Sequence, residues 1–186
     1  MPGGLGPLLR SLEQAQRKFP PVERWNPAYC GDIGLSILAD GTWLYRGSAI
    51  QRPALVKLFA SVLRRDEDGR HYLVTPVEKV DVAVADAPFL AVEVEMSGAG
   101  RDQSIVLRTN VDDVVRVGRA HPLRFARDGA GEGFKPYVLV RGRLEALATR
   151  AVAWELAQRL DEEHASGAGL WSDGVFFHVH DSDPAA

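Results

Sequence analysis

The sequence predicts an α+β protein of two similar small domains from an internal duplication, antiparallel sheets each with a packed helix. Three observations predict it. Short runs of alternating apolar and polar residues recur along the chain, separated by Gly-, Asp- and Pro-bearing breaks, as strands and turns do. Three segments carry a helical stripe. One group of motifs also appears twice. Leu73-Val74-Thr75-Pro76-Val77-Glu78-Lys79-Val80 is echoed by Leu107-Arg108-Thr109-Asn110-Val111-Asp112-Asp113-Val114 at an offset of 34 residues, which also carries Pro88-Phe89 onto Pro122-Leu123. A second echo links Leu44-Tyr45-Arg46-Gly47 to Leu139-Val140-Arg141-Gly142, each leading to a helix with an arginine near its start, Arg52 and Arg150. Alternating valines alone would match by chance. Thr, Val, acid, Val and Pro at one shared offset point to duplication.

In chain order, Leu5 to Lys18 reads as a short helix with Leu8, Leu9 and Leu12 as its stripe, stopped by Pro20-Pro21. The apolar run Ile33 to Leu38 turns at Asp40-Gly41 into Trp43 to Arg46, because Gly accepts the positive φ a tight hairpin needs. Pro53 opens a helix striped by Leu55, Leu58, Phe59, Val62 and Leu63, and Asp66 to Gly69 turns. Strands follow at His71 to Thr75, Lys79 to Ala85 (Val80, Val82 and Val84 on one face) and Phe89 to Met96. In the last of these, Leu90, Val92 and Val94 point inward and Glu93 and Glu95 outward. The glycine-bearing break Ser97 to Arg101 is the expected seam. After it come strands at Ser104 to Thr109, Asp113 to Val117, Pro122 to Ala126 and Tyr137 to Arg141, with a flexible loop at Asp128 to Gly133. A deeply packed helix, Leu147 to Leu160, and a last strand, Gly174 to His180, complete the second half. The expected domains are 1–24 (helix and arm), 25–98, 99–180, and an acidic disordered tail at 181–186.

The composition is ordinary for a globular protein, with 46% hydrophobic and 25% charged residues. A formal net charge of −3 gives no reason to expect a nucleic-acid polymer or an acidic membrane surface as partner. The single cysteine, Cys30, excludes an internal disulfide and a thiolate-rich metal site. No apolar run reaches membrane-spanning length and no signal-peptide layout opens the chain, so the cytoplasm is the expected compartment. Arginine outnumbers lysine eighteen to four, which suits anion binding and equally follows from a GC-rich genome. From Ala99 to Leu160 there are eleven basic and seven acidic residues; from Asp161 onward there are six acidic and no basic ones.

Two similar halves place equivalent residues around a shared cleft, a favoured kind of ligand site. Arg46 and Arg141 fall at matching strand ends, and Thr75 to Glu78 and Thr109 to Asp112 at matching strand entries. Guanidinium, hydroxyl and backbone amide groups there suit an anionic or nucleotide-like ligand. Competing structural readings stand beside this one. Arg46, Arg141 and Arg150 could pair with Asp32, Glu78 or Glu145; Trp43 and Tyr45 could stack on a base or fill a core; Thr75-Pro76-Val77-Glu78 satisfies a capping pattern and could be a corner. Cys30 reads as a small hydrophobe, and His178 and His180 on one strand face supply only two of the ligands a metal needs. No phosphate-cradling loop or nucleophile elbow is present.

Pro20-Pro21-Val22-Glu23-Arg24-Trp25-Asn26-Pro27, Cys30-Gly31-Asp32-Ile33, Asp40-Gly41-Thr42-Trp43, Thr75 to Val80 and Asp86-Ala87-Pro88-Phe89 resemble the motifs of the uncharacterised bacterial family "domain of unknown function 1285". Asn110-Val111, Val140-Arg141-Gly142 to Ala146, and Trp171 to Phe177 are similar to its second half, so the resemblance covers roughly residues 20 to 180. It departs at Ala49, where proline is expected before Ile50. The resemblance implies a duplicated α+β core with a pleckstrin-homology-like second half. It also implies an interface pocket for a nucleotide-based ligand and a part in signal transduction, and it carries over no catalytic residue and no cofactor.

The expected ligand-binding residues are Asp32, Trp43, Tyr45, Arg46, Thr75, Glu78, Lys79, Thr109, Asn110, His121, Tyr137, Arg141, Glu145 and Arg150, with no metal. The leading expectation is a non-enzymatic small-molecule-binding protein. The alternatives are a protein-interaction module, or a hydrolase or transferase using Asp32, Glu78 or His121.

Overall fold

The computed structural model describes residues 20–127, 134–162, 164–165 and 167–179. The expected helix at Leu5 to Lys18, the loop at Asp128 to Gly133 and the acidic tail lie outside these residues. The chain forms two compact units that divide between Pro88 and Phe89, with Gly142–Leu144 grouped in the first.

The first unit holds β1 (Leu35–Ile37), β2 (Trp43–Tyr45), β3 (Ser48–Ala49), helix α1 (Pro53–Ser61), β4 (Leu63–Arg65), β5 (His71–Val74) and β6 (Lys79–Val84). The β1–β2 hairpin turns as expected at Asp40-Gly41. Gly41 takes φ 84, and the Asp40 carboxylate accepts the Thr42 N–H at 2.9 Å, a bond that lowers its pKa. Arg46-Gly47 joins β2 to β3 with both residues at positive φ, 47 and 79. Pro53 occupies the first turn of α1, whose Phe59 and Ala60 are buried. The helix stops at Ser61, not Leu63. Leu63 pairs with Leu73 in the β4–β5 ladder, so strand pairing takes over two apolar positions that also fitted the helical stripe.

The second unit holds β7 (Phe89–Ser97), β8 (Ser104–Thr109), β9 (Val114–Arg116), β10 (Leu123–Arg127), β11 (Phe134–Arg141), β12 (Leu144–Ala148), helix α2 (Arg150–Ala157), β13 (Gly169–Ser172) and β14 (Val175–His178). Ser97 to Arg101 falls inside this unit, in the β7–β8 connection. The alternation expected for β7 holds only in part. A bulge between Ala91 and Glu93 adds a residue, so Phe89 and Ala91 are the buried pair before it, and Leu90 and Val92 are half-buried. The expected helix from Leu147 begins instead at Arg150, because Leu144–Ala148 is a strand and Thr149 caps the helix by accepting the Val152 N–H. Nor is that helix packed all round: Val152 and Leu156 are buried, while Trp154 is 69% exposed. β13, absent from the sequence reading, pairs with β14.

The two sheets share one topology. Their orders are β3-β2-β1-β6-β5-β4 and β10-β11-β12-β7-β8-β9, two three-strand meanders whose first and last strands lie side by side. Those central pairs, β1 with β6 and β7 with β12, are parallel, whereas β1–β2, β2–β3, β4–β5, β5–β6, β7–β8, β8–β9 and β10–β11 are antiparallel. The duplication is thus visible in topology, but the sequence echoes do not follow it. The Thr75 echo links the β5–β6 turn to the β8–β9 turn, and the Arg46 echo links β2–β3 to β11–β12, which are not equivalent positions. What repeats is local turn chemistry. No helix among the described residues is long and apolar enough to cross a membrane.

Candidate functional site

The expected ligand residues scatter into local roles. Trp43 is 1% exposed and packs on Phe59 with ring centroids 6.0 Å apart, so it fills the core. Tyr45 is half-buried beside the Arg46 guanidinium, 5.3 Å from its ring centre. Thr75 and Thr109 are fully buried, and each hydroxyl accepts two N–H groups of its own turn, from Val77 and Glu78 and from Val111 and Asp113. Asn110 binds both main-chain groups of Leu90, at 2.9 and 3.0 Å. Arg141 pairs with Asp113 and lies 5.0 Å from the Phe89 ring centre, while Arg124 grips Glu145 with two bonds of 2.6 Å and stacks 4.0 Å over Tyr137. The alternative pairings considered for Arg141 and Glu145 are therefore replaced by Asp113 and Arg124. His121 donates Nδ1–H to the Leu139 carbonyl at 2.9 Å. Glu78 is half-buried; Arg46 and Arg150, at a turn and at the start of α2, are exposed. Cys30 is half-buried, its thiol directed at the Ala28 carbonyl at 3.4 Å, and no cluster of three metal-ligating side chains occurs among the described residues.

A denser arrangement lies in the first unit, built, Lys79 apart, on residues the sequence reading passed over. The segment before β1 runs alongside β6: Lys79 N–H donates to the Ala28 carbonyl, Cys30 N–H to Lys79, and Asp81 N–H to Gly31. This brings Tyr29 to Asp81, whose carboxylate accepts the Tyr29 hydroxyl on one oxygen and Arg70 on the other at 2.7 Å. Asp81 is 9% exposed, but Tyr29 and the Arg70 side chain are each more than half exposed, so both bonds lie at the surface edge where water screens them. The Tyr29 pKa is raised, first by that hydrogen bond and then by burial. Next to Asp81, Tyr72 donates to Asp68 at 2.6 Å, which together with burial pushes its hydroxyl up to about 12. Lys79 lies 4.4 Å over the Tyr72 ring and reaches Asp66 at 3.0 Å. Burial raises the Asp66 pKa, but hydrogen bonds from Arg64 and Lys79 outweigh it and leave the carboxyl below its ordinary range.

A pocket of about 340 Å³ opens at the end of this network, lined by Asp32, Gly69, Arg70, His71, Asp81, Val82, Ala83 and Val84. The cause is a mismatch of strand lengths. The β5–β6 ladder ends at the His71–Val82 pair, while β6 continues to Val84 and the chain before β5 turns away at Gly69. Asp32 reaches the pocket from a loop held by its own Oδ1, which accepts the Gly34 N–H at 2.7 Å; the Gly34 carbonyl in turn accepts the Arg46 N–H at 2.7 Å. Of the expected residues, only Asp32 lines this pocket.

His71 makes the pocket sensitive to acid. Burial, with help from the Arg65 charge, pulls its imidazole down to about 4 from an ordinary value of 6.5. A folded-state pKa below the unfolded one stabilises the native state above pH 6.5, and that stability is lost as pH falls toward 4. Discounted for the ring's partial exposure, about 1 kcal/mol should be lost between pH 7 and pH 5. Urea unfolding at the two values should show the loss in the parent protein and little of it in His71→Gln.

Residues 20–87 match the family described as "Domain of unknown function (DUF1285), N-terminal domain", and residues 88–179 match "Protein of unknown function (DUF1285), C-terminal domain". The chain belongs to the DUF1285 family. The boundary between the two DUF1285 domains falls within one residue of the division between the compact units. A DUF1285 family protein from Silicibacter pomeroyi DSS-3 is 47% identical, with a TM-score of 0.85 over 92% of this chain and 93% of that one. A second, from Shewanella baltica OS155, is 26% identical, with a TM-score of 0.54 over 69% of this chain and 93% of that one. No curated protein matches the chain.

Proposed function

We propose that this DUF1285 protein is a non-enzymatic, cytoplasmic small-molecule-binding protein whose ligand seats in the pocket of the first unit. One observation carries the reading: β6 runs past the end of β5 and leaves a concave space of about 340 Å³ bordered by Asp32, Arg70, His71 and Asp81. That volume is at the lower end for small-molecule sites, and a few polar groups on a rigid sheet are what such sites use. A signalling role requires that the ligand bind two conformations unequally, since only that difference can shift a population. The test is thermal unfolding of the full chain with nucleotides, amino acids, amines and carboxylates at millimolar concentration. A binder should raise Tm in a dose-dependent way, by about 2.7 kcal/mol of added stability at a hundred times its Kd. Ala83→Leu, an exposed lining position, should remove the effect by filling the space. A flat response across the panel would sink the proposal.

A nucleotide-based ligand, which the family resemblance implies, would take a place separate from the pocket lining, at the β2–β3 turn that holds Arg46. Its exposed guanidinium has no ion pair among the described residues, and its backbone holds φ 47, a region that asparagine adopts more readily. Arg46→Asn should stabilise the turn by about 0.5–1 kcal/mol while abolishing any nucleotide-induced rise in Tm. Unchanged nucleotide shifts would remove Arg46 from the site. A second reading, an interaction module, is favoured by Trp154, 69% exposed on α2. Its mark would be a partner lost on Trp154→Glu with all ligand shifts intact.

A further inference from the structure

Resting on the reading of this pocket as a ligand site, we infer that its ligand is a small zwitterion, an amine cation at one end and a carboxylate at the other. The charges at the pocket separate into a closed pair and two open groups. Arg70 and Asp81 neutralise each other at 2.7 Å, and the second Asp81 oxygen is taken by Tyr29. His71 is held neutral by burial. What remains is Asp32 and Arg65. Asp32 spends one oxygen on Gly34 N–H, and its charge has no ion-pair partner among the described residues. Arg65 is not itself a lining residue but stands beside two that are, bonded through Nε–H to the Gly69 carbonyl at 3.1 Å and paired across the β4–β5 ladder with His71, and it too forms no ion pair among the described residues.

The main chain supplies a third open group. Along β6, the N–H groups of Asp81 and Ala85 donate to Gly31 and Ile37 on the β1 side. Strand N–H groups alternate sides, so that of Val84 points the other way, where β5 has already ended. It has no acceptor among the described residues. A main-chain donor facing a cavity calls for an acceptor, and a carboxylate oxygen makes the stronger, charge-assisted bond. A lone anion would meet Asp32 and a lone cation would meet Arg65. A zwitterion satisfies both, with its carboxylate also on Val84 N–H.

The experiment is NMR titration of the full chain with 4-aminobutyrate, glycine and β-alanine, and with butylamine and butyrate, which each keep one charge of the first. At least one zwitterion should shift the amide signals of Val84 and His71 and bind at least threefold tighter than both butylamine and butyrate. Asp32→Asn should abolish its advantage over butyrate, and Arg65→Gln its advantage over butylamine. Butylamine or butyrate binding at these amides as tightly as any zwitterion would overturn the inference and leave the pocket reading standing. So would a ligand from the thermal panel binding there while no zwitterion does. If no compound of either set moves these amides, the pocket reading itself fails and the inference falls with it.

Discussion

Arg64→Ala should destabilise the first unit by about 3–5 kcal/mol, the range for removing one partner of a buried ion pair. Arg64 lies in β4 and is 8% exposed. Its Nε and one terminal nitrogen donate to Asp66 at 2.5 and 3.2 Å, and the other terminal nitrogen donates to the carbonyls of Val22 and Trp25, each at 2.8 Å. One guanidinium thus fastens the arm at the start of the described chain to the sheet and offsets a carboxylate that Lys79 also contacts. Alanine leaves Asp66 to Lys79 alone and two carbonyls without their donor. Arg64→Lys keeps the charge but lacks the planar fork, so it should recover well under half of the loss. Urea unfolding measures the cost. Hydrogen exchange should show the amides of residues 22–25 losing protection before those of β5 and β6. A loss below 1 kcal/mol would mean that the arm is held by something other than Arg64.

That network shows what a linear sequence conceals. The Asp40-Gly41 turn was legible because its chemistry is complete within four residues, and the strands were legible from the density of short alternating runs; the duplication was read from echoes that mark turn chemistry, not equivalent strands. The ends of both helices were not. Leu63 and Leu147 are apolar in a way that suits either a helix stripe or a strand, and pairing with β5 or a place in β12 decided between them. The bulge at Val92 left no local signal at all, and it reverses which side of β7 is inward. For the pocket, Asp32 was visible as a loop carboxylate, while Tyr29, Arg70 and Asp81 were not, because their contacts join distant segments. One signal was available. Asp81 stands between Val80 and Val82 in a strand, and a carboxylate there must either face water or find partners.

The two threonines of the echoed motif provide a test of what the repetition means. Thr75 and Thr109 are both 0% exposed. Thr75 Oγ1 accepts the N–H groups of Val77 and Glu78 at 3.2 and 3.0 Å, while Thr75 N–H donates to the Glu78 carbonyl at 2.9 Å. Thr109 does the same one residue further out, accepting from Val111 and Asp113 at 3.3 and 3.1 Å and donating to Asp113 at 2.8 Å. The longer loop absorbs its extra residue by placing Asp112 at φ 67. Valine has the shape of threonine without the acceptor, so Thr75→Val and Thr109→Val should each cost about 2 kcal/mol by leaving donors unmatched. The sites share no partner and sit in different units, so the double variant should lose about 4 kcal/mol in total. Serine at either position should restore most of the loss, since it keeps the oxygen. A ligand-contact role predicts a different pattern, in which the valine variants keep their unfolding midpoints and lose binding instead. Because both hydroxyls are buried and occupied by their own turns, the stability pattern is the one expected, and the repeated Thr-x-Val motif then marks a way of closing a strand connection that the chain uses twice.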